Sequence, residues 1–384
     1  MIRIAIVGTG NISRAHIESY LTFPNRAKIV AMVDIVPGKA RAKAIEFGIE
    51  CDDYTCHGDI LGRDDIDVID VCTPPYAHAQ IAIDAMNAGK HVIVEKPMAA
   101  SLEECDRMIE TAKRTGVVFS SIAQNRFRTP IANLKAMLDS GLAGPIKHAQ
   151  IDSFWWRGHS YYDLWWRGLW DKEGGGCTLN HAVHHIDMLG WMMGLPEEIT
   201  AVMANVSHDN AEVEDLSVAI MRYPASLATV TSSVVHHGEE QQLIFQCADA
   251  CISAPYRAYA SISKPNGFPT RNEELEEKLT ALNDSLPEIE YEGHPGQIDD
   301  ILSAIEQGRE PAITGLDGRR TIELITGIYK SGATGAAAKL PIDKGDPFYT
   351  AAGMMASVPH FYEKLVAKDD LGDDIITIGS DYKA

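Results

Sequence analysis

Residues 1–13 read MIRIAIVGTGNIS: an apolar run from Ile2 to Val7, then Gly8-Thr9-Gly10-Asn11-Ile12-Ser13 opening a helical segment. In a strand–turn–helix unit the first glycine permits the tight turn, and the second lets the backbone approach a pyrophosphate. A small third residue lets helix and strand pack closely, while the helix N-terminus faces the phosphate charge. Ser13 stands where a third glycine is usual, a change that its small side chain tolerates. The spacing predicts a dinucleotide site built on Gly8, Gly10, Asn11 and Ile12. Asp34 ends the next strand-like run, about 20 residues further on, where a carboxylate hydrogen-bonds ribose hydroxyls and repels a 2′-phosphate. Ile35 rather than Arg follows it, so NAD is expected over NADP.

Working outward, strand-like runs at Ile29–Asp34, Val68–Cys72, His91–Glu95 and Val117–Ser120 alternate with helical patterns near 13–22, 38–47, 77–88 and 102–115. Such alternation predicts an α/β fold, with a doubly wound Rossmann domain over residues 1–123. Two loops leave strand ends that border the ligand crevice of such a sheet. One is Thr73-Pro74, with His78 behind it; the other is Glu95-Lys96-Pro97, which sets a cation beside the expected nicotinamide. After Gln124 the character changes. From Ile199 strands follow one another (Ser217–Tyr223, Ala228–Val235, Gln242–Cys247), and helical patterns near 297–307 and 317–331 close the unit. This predicts a C-terminal α+β domain over 124–345 with a largely antiparallel open sheet. Residues 346–384 read as a tail or arm that docks on a partner subunit.

The 34 Lys and Arg against 54 Asp and Glu give a net charge of −20. A field of that sign repels phosphate backbones and anionic lipid heads, so no nucleic-acid and no membrane partner is expected. The start of the chain goes straight into a strand, without the pattern of a secretory leader. Seven cysteines form neither a disulfide framework nor a zinc spacing, which suits a reduced, cytoplasmic protein.

The second chemical stretch is Gly174-Gly175-Gly176 followed by a run in which Asn180, His184 and Asp187 fall at i, i+4 and i+7. On one continuous helix they would share a face. Histidines 181, 184 and 185 with Asp187 have metal-compatible spacing, but no fourth ligand is evident and no metal is expected. The segments Phe154–Arg157 and Tyr161–Arg167 hold four of the six tryptophans, interleaved with Arg and Asp. Flat rings beside polar groups suit the faces and hydroxyls of a pyranose.

Taken together these motifs resemble the glucose–fructose oxidoreductase / inositol dehydrogenase / MocA family, over most of the chain from Ile2 to about Ile342. The resemblance rests on the glycine loop and Asp34, Thr73-Pro74-Pro75 through His78, Ala88-Gly89-Lys90-His91-Val92 and Glu95-Lys96-Pro97. Asn125-Arg126-Phe127, the triple glycine with His184 and Asp187, and Thr314-Gly315 through Ser331 complete it. The resemblance implies that Lys96 sits at the reacting hydroxyl and that His184 acts there as acid and base. It also implies that Thr73, Pro74, His78, Glu95, Lys96 and Asn125 contact the cofactor. Many members carry Asp where this chain has Asn180, so this residue is expected to orient substrate rather than take a proton. Arg126, Tyr162, Trp166, Arg167 and Asp187 are the other expected substrate contacts. The implied activity is NAD-dependent oxidation of a sugar or glycoside hydroxyl, with C3 of a glucopyranoside favoured. The alternatives are inositol oxidation and NAD-dependent glycoside cleavage by transient oxidation and elimination. A homo-oligomer, dimer or tetramer, is implied as well.

Overall fold

The computed structural model describes residues 1–369. Its first half is β1 (Ile2–Val7), α1 (Ser13–Thr22), β2 (Ala27–Val33), α2 (Lys39–Glu46), β3 (Asp52–Tyr54) and β4 (Val68–Val71). It continues with α3 (Pro75–Asn87), β5 (His91–Val94), α4 (Leu102–Thr115) and β6 (Phe119–Ser121). The six strands are all parallel, in the order β3-β2-β1-β4-β5-β6. Strand order reverses at β1 and β4, and the crevice beyond their C-terminal ends is where such sheets bind ligands. Helix α4 shows why these segments fold as read: Ser101 accepts the Glu104 N–H, Glu103 and Glu104 open the helix, and Gly116 closes it at φ +72°.

The second half runs α5 (Thr129–Asp139), β7 (Ile146–Phe154), α6 (Trp170–Glu173), α7 (Cys177–Asn180), α8 (Val183–Met193), β8 (Glu198–Ala204), β9 (Leu216–Tyr223) and β10 (Ser226–Ser233). Then follow β11 (Gln242–Cys247), β12 (Ala250–Ala254), β13 (Arg257–Ser263), β14 (Pro269–Arg271), α9 (Glu273–Ser285), α10 (His294–Gln307), α11 (Gly315–Thr334) and β15 (Ala338–Lys339). Nine strands form one sheet, β14-β13-β12-β11-β7-β10-β9-β8-β15, antiparallel except at β7/β10. Strand β7, unread in the sequence, pairs with both β10 and β11 and so lies inside the sheet. Along β9, alternate residues from Ser217 to Tyr223 are buried; their neighbours Val218 and Ile220 stay exposed. One face of the sheet is therefore core and the other is open.

The two halves interlock. Ile298, Ile301 and Leu302 of α10 join the core of Ile2, Ile4 and Ile6, so the C-terminal part returns to cover the first sheet. The segment after residue 346, expected to be a tail or arm, makes contacts within the chain. As far as residue 369 it lies on its own chain: Lys364 Nζ donates to the carbonyls of Tyr162 and Arg167, and Asn210 Oδ1 accepts the N–H groups of Leu365 and Val366. The rest of the expected arm, 370–384, lies outside the described residues.

Candidate active site

The glycine loop meets the end of β4 at the crevice. Gly8 has φ +95°, and a Cβ there would lie 2.6 Å from the Cys72 carbonyl oxygen, so a side chain is excluded twice over. Around Gly10 nothing lies within 4 Å of where a Cβ would stand. Ser13, fully buried, donates through Oγ to the Gly10 carbonyl at 2.7 Å; the small third residue thus also fixes the loop. Exposed Asn11 and half-buried Ile12 complete the turn.

Asp34 is fixed too. Its carboxylate accepts the Thr9 N–H (3.0 Å), the Thr9 hydroxyl (2.8 Å) and the Val36 N–H (3.0 Å), with Lys39 Nζ 3.6 Å away. Burial pushes the carboxyl up, but those donors and Lys39 outweigh it and hold Asp34 below the usual range. Across the crevice, Thr73 Oγ1 is buried without a partner. A loop that rejects side chains, a fixed ribose-height carboxylate and an orphaned hydroxyl together fit a dinucleotide.

Two expected cofactor contacts turn out to be braces. His78 is fully buried, with Nδ1 2.9 Å from the Pro97 carbonyl and Nε2 2.6 Å from the Thr73 carbonyl. Burial lowers its pKa, so the neutral ring has one N–H for these two carbonyls; wedged between them, it braces the two crevice loops from behind. The buried carboxylate of Glu95 is likewise spent inside the protein. It accepts from the Lys96 N–H (3.0 Å) and lies against Nε2 of His16 (3.0 Å) and of His294 (3.3 Å). Pro74 precedes α3, and Asn125 sits half-buried in the turn after β6.

Lys96 and His184 line one small cleft between the halves, with Ser121, Val183 and Thr321. Burial lowers the Lys96 ammonium, and the Glu95 carboxylate opposes this. Burial and the Lys96 charge push His184 well below the ordinary histidine value, so it is neutral near pH 7.

The single polar helix face is not formed. The N–H groups of both His181 and Ala182 point at the Cys177 carbonyl, which widens the turn and separates α7 from α8. The preceding glycines are pressed into place: a Cβ on Gly175 would strike the Tyr329 hydroxyl, and one on Gly176 the Glu214 carbonyl. Asn180 therefore folds back, donating through Nδ2 to the Gly175 carbonyl at 2.8 Å. Asp187 is bound bidentately by Arg126 (2.8 and 2.7 Å) and accepts the Thr321 hydroxyl, while Arg126 also reaches Asp317 at 3.1 Å. All of these are buried or nearly so. The two residues expected to hold sugar hydroxyls satisfy each other instead.

Among the aromatics, Tyr162 is 1% exposed and packs against Tyr161 and His208; it is core, not a sugar platform. Arg167 lies between the rings of Tyr161 and Trp166, 4.1 and 4.3 Å from their centroids, and pairs with buried Glu173 at 3.1 Å. Its guanidinium also donates to the Tyr161 oxygen. Arg has donors only, so the Tyr161 proton turns to His181 Nε2, 3.2 Å away. Arg167 and Lys96 act electrostatically on His181, which marks the two clusters as neighbours. Sequence reading missed Tyr161 and Glu173. The available signal was the Tyr161-Tyr162 doublet beside Arg167, whose outer ring lies against the guanidinium while the inner one is core.

A doubly wound nucleotide-binding sheet, a lysine and a histidine in one interdomain cleft and an open mixed sheet define a two-domain protein of the dinucleotide-binding oxidoreductase class. The chain belongs to the GFO/IDH/MocA family: residues 2–122 match its NAD-binding Rossmann-fold domain and residues 131–253 its C-terminal domain. Among similar proteins is 2,7-anhydro-N-acetylneuraminate hydratase of Mediterraneibacter gnavus, 30% identical over 212 residues, covering 55% of this chain and 54% of that protein. Inositol 2-dehydrogenase of Salmonella typhimurium is 33% identical over 144 residues, covering 37% and 43%. The chain thus spans about half the length of these curated relatives. Among solved structures, the WlbA dehydrogenase of Bordetella pertussis with NADH and UDP-GlcNAcA superposes with a TM-score of 0.77 at 26% identity, covering 89% of this chain and 99% of that one.

Proposed function

We propose that the protein is an NAD-dependent dehydrogenase that oxidises a secondary hydroxyl of a sugar or glycoside, with C3 of a glucopyranoside the favoured position. The observation that carries this reading is the pairing of Lys96 with a neutral, half-buried His184 in one cleft next to the dinucleotide crevice. NAD, when bound, supplies the hydride acceptor. His184 takes the hydroxyl proton, and Lys96 donates a hydrogen bond to the same oxygen and stabilises the developing alkoxide. Trp166, Arg167 and Tyr161 flank the sugar. Asn180 holds the glycine turn and keeps an amide oxygen for a substrate hydroxyl. On this reading residues 1–123 carry the cofactor, 124–345 the substrate, and the stretch from 346 braces the aromatic loop. The open sheet face with Val202, Val218, Ile220 and Leu227 serves as the subunit contact of a homo-oligomer. The protein acts in the cytoplasm.

The deciding experiment incubates purified protein with NAD and a panel of glucose, O- and C-glucosides and inositols, following nicotinamide absorbance and product NMR. A 3-keto glycoside is expected. An inosose would move the activity to inositol. A cleaved product without accumulated NADH would favour transient oxidation and elimination.

Two further results are expected. Asp34→Ala should weaken NAD about tenfold more than NADP, a difference of ~1.4 kcal/mol, because the ribose loses its acceptor while repulsion of a 2′-phosphate disappears. Equal losses in a titration of both cofactors would remove Asp34 from the ribose. The acid limb of kcat/KM should fall below the ordinary histidine value, since burial and Lys96 keep His184 unprotonated. A pH profile with that limb above it would exclude His184 as the base.

A further inference from the structure

Beneath the catalytic loop lies a buried polar chain that the mechanism above does not use. His16 of α1 stands between two carboxylates: Nδ1 is 2.8 Å from Asp70 Oδ2 and Nε2 is 3.0 Å from Glu95 Oε1. Tyr20 donates to the same Asp70 oxygen at 2.8 Å, and the Cys72 thiol faces the other at 3.7 Å. His294, from α10, approaches Glu95 Oε1 at 3.3 Å, and Glu95 Oε2 accepts the Lys96 N–H at 3.0 Å. His16, Asp70 and Glu95 are at most 2% exposed. These atoms crowd closely enough to suggest a metal, but their spacings are those of hydrogen bonds between donors and carboxylates.

The partners dictate the protonation state. Ionised carboxylates only accept, and a neutral imidazole has a single N–H. A neutral His16 would turn a lone pair towards one buried carboxylate at hydrogen-bond distance. As an imidazolium it donates to both, and Asp70, His16, Glu95 and Lys96 then alternate in sign and sum to zero.

We propose that His16 is a positioning residue for catalysis: an imidazolium bridging Asp70 and Glu95, it anchors the carboxylate that grips the Lys96 backbone and tempers the negative charge next to the Lys96 ammonium. This rests on the role assigned to Lys96 above. It also couples distant parts, because α1 is the helix whose N-terminus faces the dinucleotide, and His294 brings α10 to the same carboxylate. Burial alone would lower His16; the charge and hydrogen bond of Asp70 reverse this and hold it well above the ordinary histidine value. Burial would raise Glu95, and the two histidines hold it well below the usual range. The charged groups acting on Lys96 are Glu95, Arg167 and Glu173; those near His16 are Asp70, Glu95 and the ring of His294.

Two measurements test this. Histidine-nitrogen NMR on the intact protein should show one residue, assigned through His16→Gln, with both ring nitrogens in the imidazolium form well above the pH at which exposed histidines titrate. This readout needs no substrate, so it separates the state of His16 from the proposed activity. With an active sugar, the basic limb of kcat/KM should rise by about one pH unit in His16→Gln, which removes a cation, and fall by about one in Glu95→Gln, which removes an anion. A merely structural role would lower rates without moving the limb in opposite directions. The proposal is overturned by a His16 that titrates as an exposed histidine does, or by limbs that stay fixed or move together. If His16→Gln does not fold, the remaining histidine signals assign that of His16 by elimination in the unaltered protein.

Discussion

Lys96→Met is expected to lower kcat by 10²–10³-fold, about 3–4 kcal/mol of lost transition-state stabilisation, while changing NAD affinity by no more than about twofold. The substitution keeps an unbranched side chain one atom shorter and removes its charge. The backbone of the loop should survive, because Glu95 grips the Lys96 N–H and His78 grips the Pro97 carbonyl, and neither contact uses the amine. The effect is large because the ammonium stands half-buried and partly desolvated in a small cleft, where its field on a developing alkoxide is weakly screened. A second signature follows from the same charge. Lys96 is one of the groups that depress His184, so the residual activity should show an acid limb moved to higher pH. Steady-state rates across pH, with NAD binding measured by titration of tryptophan fluorescence, check both. A variant within about threefold of the original rate would take Lys96 out of the chemistry.

Arg126→Met is expected to cost about 3–5 kcal/mol of folding stability rather than a selective loss of substrate affinity. The guanidinium pairs with Asp187, reaches Asp317 as well, and lies over the Trp191 ring at 5.2 Å. Removing it strands a buried carboxylate from α8 and weakens the tie to the start of α11. The double variant Arg126→Met, Asp187→Leu should recover much of the loss, since replacing both partners by apolar side chains removes the uncompensated charge. Urea unfolding of the three proteins measures this. A cost under about 1 kcal/mol with a raised KM would restore Arg126 as a substrate contact.

The contrast between these two residues shows how far the sequence could be read. Lys96 follows a short apolar strand, and position after a strand end is a local property that survives folding. The same locality made the glycine loop, Asp34 and the alternation of the first sheet legible; α1 and α4 have the bounds that their patterns predict. Arg126 could not be read this way, because its partners stand 61 and 191 positions away in the chain. The buried chain around His16 was hidden for the same reason, with His16 to Asp70 54 positions apart and His294 to Glu95 199. One signal was available: Asp70 interrupts the apolar run Val68–Cys72, and an acid inside a central strand requires a buried donor. The supposed polar face of Asn180, His184 and Asp187 failed on backbone geometry. Helical spacing assumes an unbroken i→i−4 ladder, and the widened turn at Ala182 breaks it.

The way the segment after residue 346 holds the aromatic loop has an evolutionary consequence. Lys364 binds the carbonyls of Tyr162 and Arg167, the Trp165 N–H donates to the Lys368 carbonyl, and the Lys368 N–H donates to that of Asp163. These bonds are made to main-chain atoms, which every residue type presents alike. The loop's path is thereby insulated from the identity of much of its surface. On the proposed reading, substitutions at Trp166 can alter which molecule is accepted while the scaffold beneath keeps its course, so selectivity can drift through single replacements without a new loop having to be invented.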